Sequence, residues 1–487
     1  MKKIYPVIFV LLYLFSIYGC KKDDSTIIEP PVVTSPVVAN PSAYSRTFYV
    51  AVNGNDNNTL TQAKNPTTPW KTIQKAANSI TGGDTVMISG GIYIEKVVLN
   101  STVSGTLAKP TLFRNKPGEA VIIDGQNSGN RFESLFRLNT VDHVTIKGLK
   151  SQNASWYGFS AITSNNITYD SCYTENTGAS GIHIAQSTYV NILRNNIKKA
   201  CQVQTRDAVG NGTQECITLG RTSNFKVSLN EIYDVALVGE GGEGIDPKGS
   251  CFDGEISNNY CHDLARVGIY MDASSGSFGD TRNIRVFNNR VFRCGGGISV
   301  AGELGGHIRE IYIYNNVLFN NTNSGVLFQS IGNGRYSDIY IINNTLINNG
   351  SAGFAGDISN FSQNALNANI QIKNNIFYNK TSNYRFSIFH NIAAPHVISS
   401  NLYFDFKPGF AGGVNNFSTS NLTTVDLQAD PLFNDFTNNN FTLKSTSPAI
   451  NKGVVVTLPS SSIPLFTTDF NGKSKGTNNW DMGAFEF

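Results

Sequence analysis

A unit of two consecutive asparagines recurs about every thirty residues through the middle of the chain. Each unit follows a short stretch of alternating apolar and polar residues, such as Ile284-Arg285-Val286. The units are Asn195-Asn196, Asn258-Asn259, Asn288-Asn289, Asn315-Asn316, Asn343-Asn344 and Asn374-Asn375, with Asn230 and Asn401 in the remaining positions of the period. Strands this short cannot bury an apolar face alone, so the repeat predicts a solenoid whose stacked turns share one core.

The asparagines themselves have a structural role in such a solenoid. Successive turns stack about 4.8 Å apart, which is close enough for each side-chain amide to bond the amide on the next turn. We therefore expect an internal asparagine ladder rather than catalytic asparagines.

The repeat resembles that of the pectate-lyase-like right-handed β-helix superfamily over residues 140–400. The resemblance implies an all-β fold, a right-handed single-stranded parallel β-helix whose N-terminal end is plugged by a helix. Residues 46–139 fit a cap and first turns, because Ile73, Ala76, Ala77 and Ile80 share one face of a helix between two strands. Residues 401–487 resemble the C-terminal capping segment of such proteins, so residues 46–487 form one predicted domain.

The N-terminus reads as a targeting segment. Lys2 and Lys3 precede an apolar stretch, residues 4–17, that is short for a membrane span. The following Gly19-Cys20 resembles the lipobox of bacterial lipoproteins. The resemblance implies that residues 1–20 are a signal peptide, that Cys20 is acylated, and that the protein is exported and lipid-anchored in the cell envelope, at the outer membrane. Residues 21–45 are polar and rich in Pro, Ser and Thr, which predicts a flexible linker.

Composition narrows the function classes. The 487 residues are 40% hydrophobic and 15% charged, with a net charge of +3 and no long basic run. Nucleic-acid binding therefore has no electrostatic basis, and the lipid anchor is the only membrane contact that we expect. Six cysteines lie beyond residue 20 without any CxxC pair, so we predict buried small residues rather than a zinc site. We expect a monomer.

One outward face of the solenoid concentrates charge. Strands that open with glycine, such as Gly268-Ile269 and Gly297-Ile298, can be registered against one another, and alternate side chains then form columns. The charged residues near these columns are Glu215, Glu243, Asp246, Lys248, Asp272 and Glu303; His183, Arg221, Tyr270 and Gln329 border them as candidate substrate-binding residues. Stacked like charges such as Glu215 over Glu243 are unfavourable without a cation or a function. This favours a site that binds or cleaves a polysaccharide; the alternative is a solvated network of ion pairs.

Glycoside hydrolysis is the first hypothesis for this cluster. The reaction needs one carboxyl group that donates a proton and a second carboxylate that acts as nucleophile or base. Asp272 and Glu303 fall on adjacent turns with Cα atoms roughly 8 Å apart, and Asp246 is equally placed relative to Asp272. Because Lys248 lies beside Asp272, we predict that it lowers the pKa of Asp272 and leaves Glu303 as the acid. No cofactor is needed.

Two alternatives remain open. Residues 243–250, from Glu243 to Lys248 and Ser250, resemble a segment of the family that contains chondroitinase B and alginate lyases. That resemblance implies a lyase acting on a uronic-acid polymer, with Lys248 as base and Glu243 helping to hold Ca²⁺. Glu215, Glu243 and Asp246 are the candidate oxygen ligands of that ion. An aspartate at position 272 departs from that family, which has an arginine there. The other alternative is a β-helix that binds glycans without cleaving them.

Overall fold

The computed structural model describes residues 46–206, 214–237, 239–351, 356–360, 364–379, 386–390, 396–405, 422–457 and 464–487. The predicted signal peptide, Cys20 and the predicted linker lie outside the described residues. The described part of the chain contains one α-helix, α1 (Ile73–Ser79), and two 3-10 helices, Gln62–Lys64 and Ser101–Val103. None of its helices is long and apolar enough to cross a bilayer.

The rest of the regular structure in the described ranges is thirty-nine short strands. The first thirteen are β1 (Thr47–Val50), β2 (Thr85–Ile88), β3 (Gly91–Tyr93), β4 (Val97–Leu99), β5 (Thr111–Asn115), β6 (Val121–Asp124), β7 (Ser134–Asn139), β8 (Asp142–Lys147), β9 (Leu149–Ala154), β10 (Tyr157–Ile162), β11 (Asn165–Asp170), β12 (Tyr173–Thr177) and β13 (Ile182–Ala185). The next thirteen are β14 (Thr188–Leu193), β15 (Asn196–Lys198), β16 (Ile217–Gly220), β17 (Ser223–Ser228), β18 (Glu231–Val235), β19 (Ile245–Lys248), β20 (Phe252–Ser257), β21 (Tyr260–Leu264), β22 (Val267–Ala273), β23 (Thr281–Phe287), β24 (Arg290–Phe292), β25 (Gly296–Glu303) and β26 (His307–Tyr314). The last thirteen are β27 (Val317–Phe319), β28 (Val326–Ile331), β29 (Arg335–Ile342), β30 (Thr345–Ile347), β31 (Gly356–Asn360), β32 (Ala368–Lys373), β33 (Ile376–Tyr378), β34 (Phe386–His390), β35 (His396–Ser399), β36 (Leu402–Phe404), β37 (Leu427–Gln428), β38 (Phe433–Asp435) and β39 (Asn440–Leu443).

Three long parallel sheets run the length of the molecule, and each turn of the chain adds one strand to each. Sheet A contains β1, β2, β5 and then every third strand to β35; sheet B runs from β3 through every third strand to β36 and ends with β37. Sheet C contains β4 and every third strand to β34. The predicted right-handed parallel β-helix is confirmed, and its rungs extend past residue 400 to β37.

The asparagine ladder is present inside the turn between sheets A and B. Asn316 Nδ2 donates to Asn344 Oδ1 at 3.0 Å, and Asn316 Oδ1 accepts from the backbone N–H of Asn289 at 2.9 Å. The same pattern links Asn195, Asn230, Asn259, Asn289, Asn316, Asn344, Asn375 and Asn401. In most pairs the first asparagine has a positive φ, 52° at Asn315, which turns the chain into the next sheet.

The N-terminal segment has the predicted order of strand, helix and strand. Ile73, Ala76 and Ala77 of α1, with Ile80 just after it, are buried in the solenoid core, and Phe48 stacks on Trp70 with ring centroids 5.4 Å apart. Thr72 caps the helix by accepting from the N–H of Lys75. The role of this segment as a plug stays a prediction.

The C-terminal tail packs along the flank of the solenoid. Asn343 Nδ2 donates to the carbonyl of Asp481 at 2.7 Å, Asn374 Nδ2 donates to that of Val454 at 2.7 Å, and Phe466 stacks on Tyr314 at 4.4 Å. The tail therefore crosses several rungs sideways, an arrangement that the predicted capping role did not include. A role in closing the end of the solenoid stays a prediction.

The six cysteines of the described region are free and buried, as predicted. Burial raises the pKa of thiols such as Cys172 and Cys294 to about 12, so these groups are neutral and act as small apolar core residues.

Candidate active site

The charged cluster lies on sheet C, and the strand register confirms the columns predicted from the sequence. Lys248 pairs with Gly220 on one side and with Asp272 on the other, and Asp272 pairs with Ala301. The neighbouring column runs Ser160, His183, Thr218, Asp246, Tyr270, Ser299, Leu327. The parallel pairing sets these side chains one rung apart, so groups far apart in sequence share one small area.

Lys248 is held between two carboxylates. Its Nζ lies 2.5 Å from Glu215 Oε1 and 3.4 Å from Asp246 Oδ2. The Thr218 hydroxyl donates to Glu215 Oε2 at 2.8 Å. Although burial alone would lower the pKa of Lys248, Glu215, Asp246 and Asp272 together raise it, so the ammonium form is favoured.

Asp246 and Asp272 are both almost fully buried, with 1% and 5% of their surfaces exposed. The Oδ1 atom of each is buried without a hydrogen-bond partner in the described residues. Burial raises the pKa of Asp246 well above its ordinary value, against the opposing effect of Lys248. A neutral carboxyl group in a buried site is the protonation state that suits a proton donor.

The prediction that the pKa of Asp272 is lowered is wrong, because its net shift is upward. Lys248 does lower the pKa of Asp272, but burial outweighs it and Glu303 and Glu215 add to the rise, to about 7. The nearest partners of Lys248 are Glu215 and Asp246. The expectation that Lys248 keeps Asp272 ionised is therefore corrected: Asp272 is a buried carboxyl group whose pKa is raised.

Glu303 is half-buried at the end of β25, one rung beyond Asp272 and two residues further along the strand. Its Oε1 accepts a hydrogen bond from the Tyr270 hydroxyl at 2.6 Å. Burial and the nearby Glu303 raise the pKa of Tyr270, so its hydroxyl stays protonated and acts as the hydrogen-bond donor to Glu303. The assignment of Glu303 as the acid does not fit this contact, because the donor at Glu303 is the phenol.

The carboxylates expected to hold calcium in the lyase hypothesis, Glu215, Glu243 and Asp246, have basic partners. Glu243 Oε1 accepts from Arg266 Nε at 2.8 Å and from Arg266 Nη2 at 2.6 Å, while Glu215 is bound to Lys248. Among the described residues, no group of three or more His, Cys, Asp or Glu side chains is arranged to hold a metal ion. The donor set does not fit calcium in this arrangement, because each glutamate is already neutralised.

The four residues predicted to border the site do so at different depths. His183 stacks on Tyr157 with centroids 4.2 Å apart; burial lowers its pKa to about 3, which keeps the imidazole neutral. Tyr270 contacts Glu303 directly. Gln329 is half-buried next to Ala301 on β28, and Arg221 is exposed directly after β16.

Sequence reasoning missed two contributors. Arg266, the partner of Glu243, lies just before β22, and an opposite charge one rung from Glu243 was a usable signal. Phe278 lies in the loop of residues 274–280, with the Arg221 guanidinium 5.4 Å from the centre of its ring. This loop interrupts the repeat, so a column alignment could not include it.

Family models match much of the solenoid. The model "Pel9A-like, right handed beta helix region" matches residues 48–216, and the model "Right handed beta helix region" matches residues 134–318. Together they cover α1, the first rungs and most of the strands that carry the charged cluster.

Sequence relatives match shorter pieces. An uncharacterized protein, YwoF of Bacillus subtilis, is 36% identical over 119 residues, 24% of this chain and 24% of its own length. Pectate lyase PEL9 of Emericella nidulans is 25% identical over 164 residues, 31% of this chain and 39% of its own length. The matches thus span less than half of either relative.

The crystal structure of pectate lyase Pel9A is similar over nearly the whole chain. It superimposes with a TM-score of 0.53 at 16% identity, covering 91% of this chain and 96% of that one. At this identity the likeness concerns the fold. The sheets and their ladder define a right-handed parallel β-helix with a charged face on sheet C. This is the fold that both family models describe, and the Pel9A structure shares it.

Proposed function

We propose that this protein is a carbohydrate-active enzyme that hydrolyses a polysaccharide, with Asp272 as the proton donor and Glu303 as the second carboxylate. The observation that carries the proposal is the pair itself: Asp272 is buried, with a pKa raised to about 7, one rung from Glu303. Two carboxyl groups in unlike environments suit the two roles that glycosidic cleavage requires.

The residues account for the reaction as follows. Asp272 donates its proton to the glycosidic oxygen as the bond from that oxygen to the anomeric carbon breaks. Glu303 either removes a proton from the attacking water or attacks the anomeric carbon itself, and in the second course water then releases the sugar while Asp272 recovers a proton. Tyr270 orients Glu303 through its hydroxyl, which donates to Glu303 Oε1.

A polysaccharide lyase is the second candidate, favoured by the match to a family model named after Pel9A. In that reaction Lys248 would remove a proton, which requires the neutral amine. Glu215, Asp246 and Asp272 raise the pKa of Lys248 and oppose that form. An anionic uronate would also meet Asp272 and Glu303. We therefore favour hydrolysis.

A panel of polymers separates these candidates. We expect the purified protein to release reducing ends from at least one of xylan, mixed-linkage β-glucan, galactomannan, arabinan and galactan, without unsaturated products. Asp272→Asn and Glu303→Gln should each lower kcat by a factor of about a hundred or more, the usual contribution of general acid–base groups. Lys248→Met serves as the comparison variant.

The outcomes are distinct. Unsaturated ends formed from polygalacturonate or alginate, and lost in Lys248→Met, would establish the lyase instead. Binding of a polymer without any cleavage would favour a glycan-binding β-helix. Export and anchoring through Cys20 complete the proposal, supported by the lipobox resemblance; Cys20→Ala should move the protein from the detergent phase to the aqueous phase.

A further inference from the structure

Large apolar side chains are exposed at consecutive turns beside the candidate site. The turns that follow sheet C strands near the N-terminus place polar residues at the surface, namely Thr140, Thr163, Gln186 and Arg221. From β22 onward the pattern changes. Phe278 is 49% exposed, Leu304 65% and Ile331 51%, and Leu366 continues the series at 64%. We call these four residues the apolar ledge.

The ledge is built on a continuous backbone. The N–H of Gly276 donates to the carbonyl of Leu304 at 3.2 Å, and the N–H of Leu304 donates to that of Ile331 at 2.7 Å. Gly276 allows the close approach, because a Cβ there would lie 2.8 Å from the carbonyl oxygen of Gly305. The turns are thus fixed relative to one another, and the ledge runs parallel to the solenoid axis.

Leu304 has a conformation that leucine rarely adopts. Its φ is 46°, in the left-handed region, although its side chain is among the most exposed apolar groups of the described chain. Asparagine or glycine would occupy that position with less strain, and a polar side chain would avoid the cost of hydrating an apolar one. Strain combined with exposure is a feature of binding surfaces.

The ledge adjoins the carboxylates. Leu304 directly follows Glu303, and Ile331 pairs with Glu303 in the strand register. At the other end, a Cβ on Gly249, the residue after Lys248, would lie 3.5 Å from the Phe278 ring. A ligand that occupies the carboxylate site and extends along the axis therefore lies over the ledge.

We infer that the apolar ledge binds the sugar units on either side of the cleavage point, and that the substrate is a neutral polysaccharide lying along the solenoid axis. This inference rests on the proposed function. The C–H faces of neutral pyranose rings suit an aromatic ring and aliphatic side chains. Uronate rings would meet the Arg221 guanidinium at Phe278, but their carboxylates would face the like charge of Glu303.

The test separates binding from cleavage. The inactive Asp272→Asn protein is run in gels that contain xylan, mixed-linkage β-glucan, galactomannan or galactan, with polygalacturonate as the anionic comparison. Adding Phe278→Ala should weaken the retardation by a neutral polymer roughly fivefold to tenfold, the loss expected for one aromatic contact. Leu304→Asn should weaken it comparably while keeping the fold, because asparagine tolerates the left-handed region. Phe487→Ala, 54% exposed in the C-terminal tail, is the matched control and should have no effect.

Each result decides the matter. Hydrolysis of a neutral polymer by the wild type, with unchanged KM in Phe278→Ala and Leu304→Asn, would overturn the ledge and leave the proposed function standing. Retardation that depends on the ledge, without hydrolysis by the wild type, would support the ledge and overturn the hydrolase. Preferential retardation by polygalacturonate, or a concentration-dependent dimer that Leu304→Asn abolishes, would overturn the neutral-polymer assignment.

Discussion

At the scale of single residues, Asp272 shows burial outweighing a nearby opposite charge. The sequence placed Lys248 one rung away, and the register confirmed it, yet the pKa of Asp272 is raised to about 7. The lysine forms its ion pairs with Glu215 and Asp246. Which partner a long side chain reaches depends on its rotamer and on the positions of nearby loops, and neither can be predicted from the alignment of strands in the sequence.

This raised pKa predicts the pH dependence. If protonated Asp272 is the acid, kcat/KM should be high below pH 7 and should fall as the pH rises through about 7. The free energy of unfolding should depend on pH in the same direction. Between pH about 4 and 7 the folded state holds a proton on Asp272 that the unfolded state releases. The free energy of unfolding therefore falls across that window as the pH rises. Urea unfolding of wild type and Asp272→Asn at several pH values checks this, and the variant should have the flatter profile. Parallel profiles would contradict the assignment.

At the scale of strands and turns, the repeat was sufficient to predict most of the fold. The spacing of the asparagine pairs and of the glycine-opened strands predicted the register of sheet C, because every rung repeats the same local pattern. The same logic could not predict the loop of residues 274–280 or the apolar ledge, since both depart from the repeat. The sequence therefore predicted the positions of Asp272 and Glu303 better than their surroundings.

The ladder itself can be tested. Asn316→Ala removes the acceptor of the Asn289 N–H and the donor to Asn344, leaving buried polar groups unpaired. We expect a loss of about 3 kcal/mol in the free energy of unfolding, measured with urea. Asn258→Gly, which replaces an asparagine at positive φ outside the ladder, should change stability by less than about 1 kcal/mol. Similar losses in both variants would argue against the ladder as the stabilising element.

At the scale of the whole molecule, the tail joins rungs that otherwise contact only their neighbours. Trp480 is 1% exposed and packs 4.8 Å from Phe466, in a cluster with Tyr314 and Ile342. Stacked repeats can unfold a few at a time, because each contacts only its neighbours. A tail that packs across several repeats therefore raises the cooperativity of unfolding.

Trp480→Ala should cost about 3–5 kcal/mol at this flank. Amide hydrogen exchange should then lose protection mainly in β26 and β29, the strands that the cluster covers, while β10 and β13 keep theirs. An equal loss in all four strands would show that the tail stabilises the whole solenoid rather than one flank.

The tail also orders events during synthesis. Each rung can settle onto the previous one while the chain is still growing, because the ladder needs only the adjacent turn. The bond from Asn343 to Asp481, however, joins residues 138 positions apart. Until those later residues emerge, Tyr314 and Ile342 are part of an uncovered apolar surface on rungs that are otherwise folded. A nascent chain is therefore most prone to aggregate, and most in need of a chaperone, in the interval between stacking and closure.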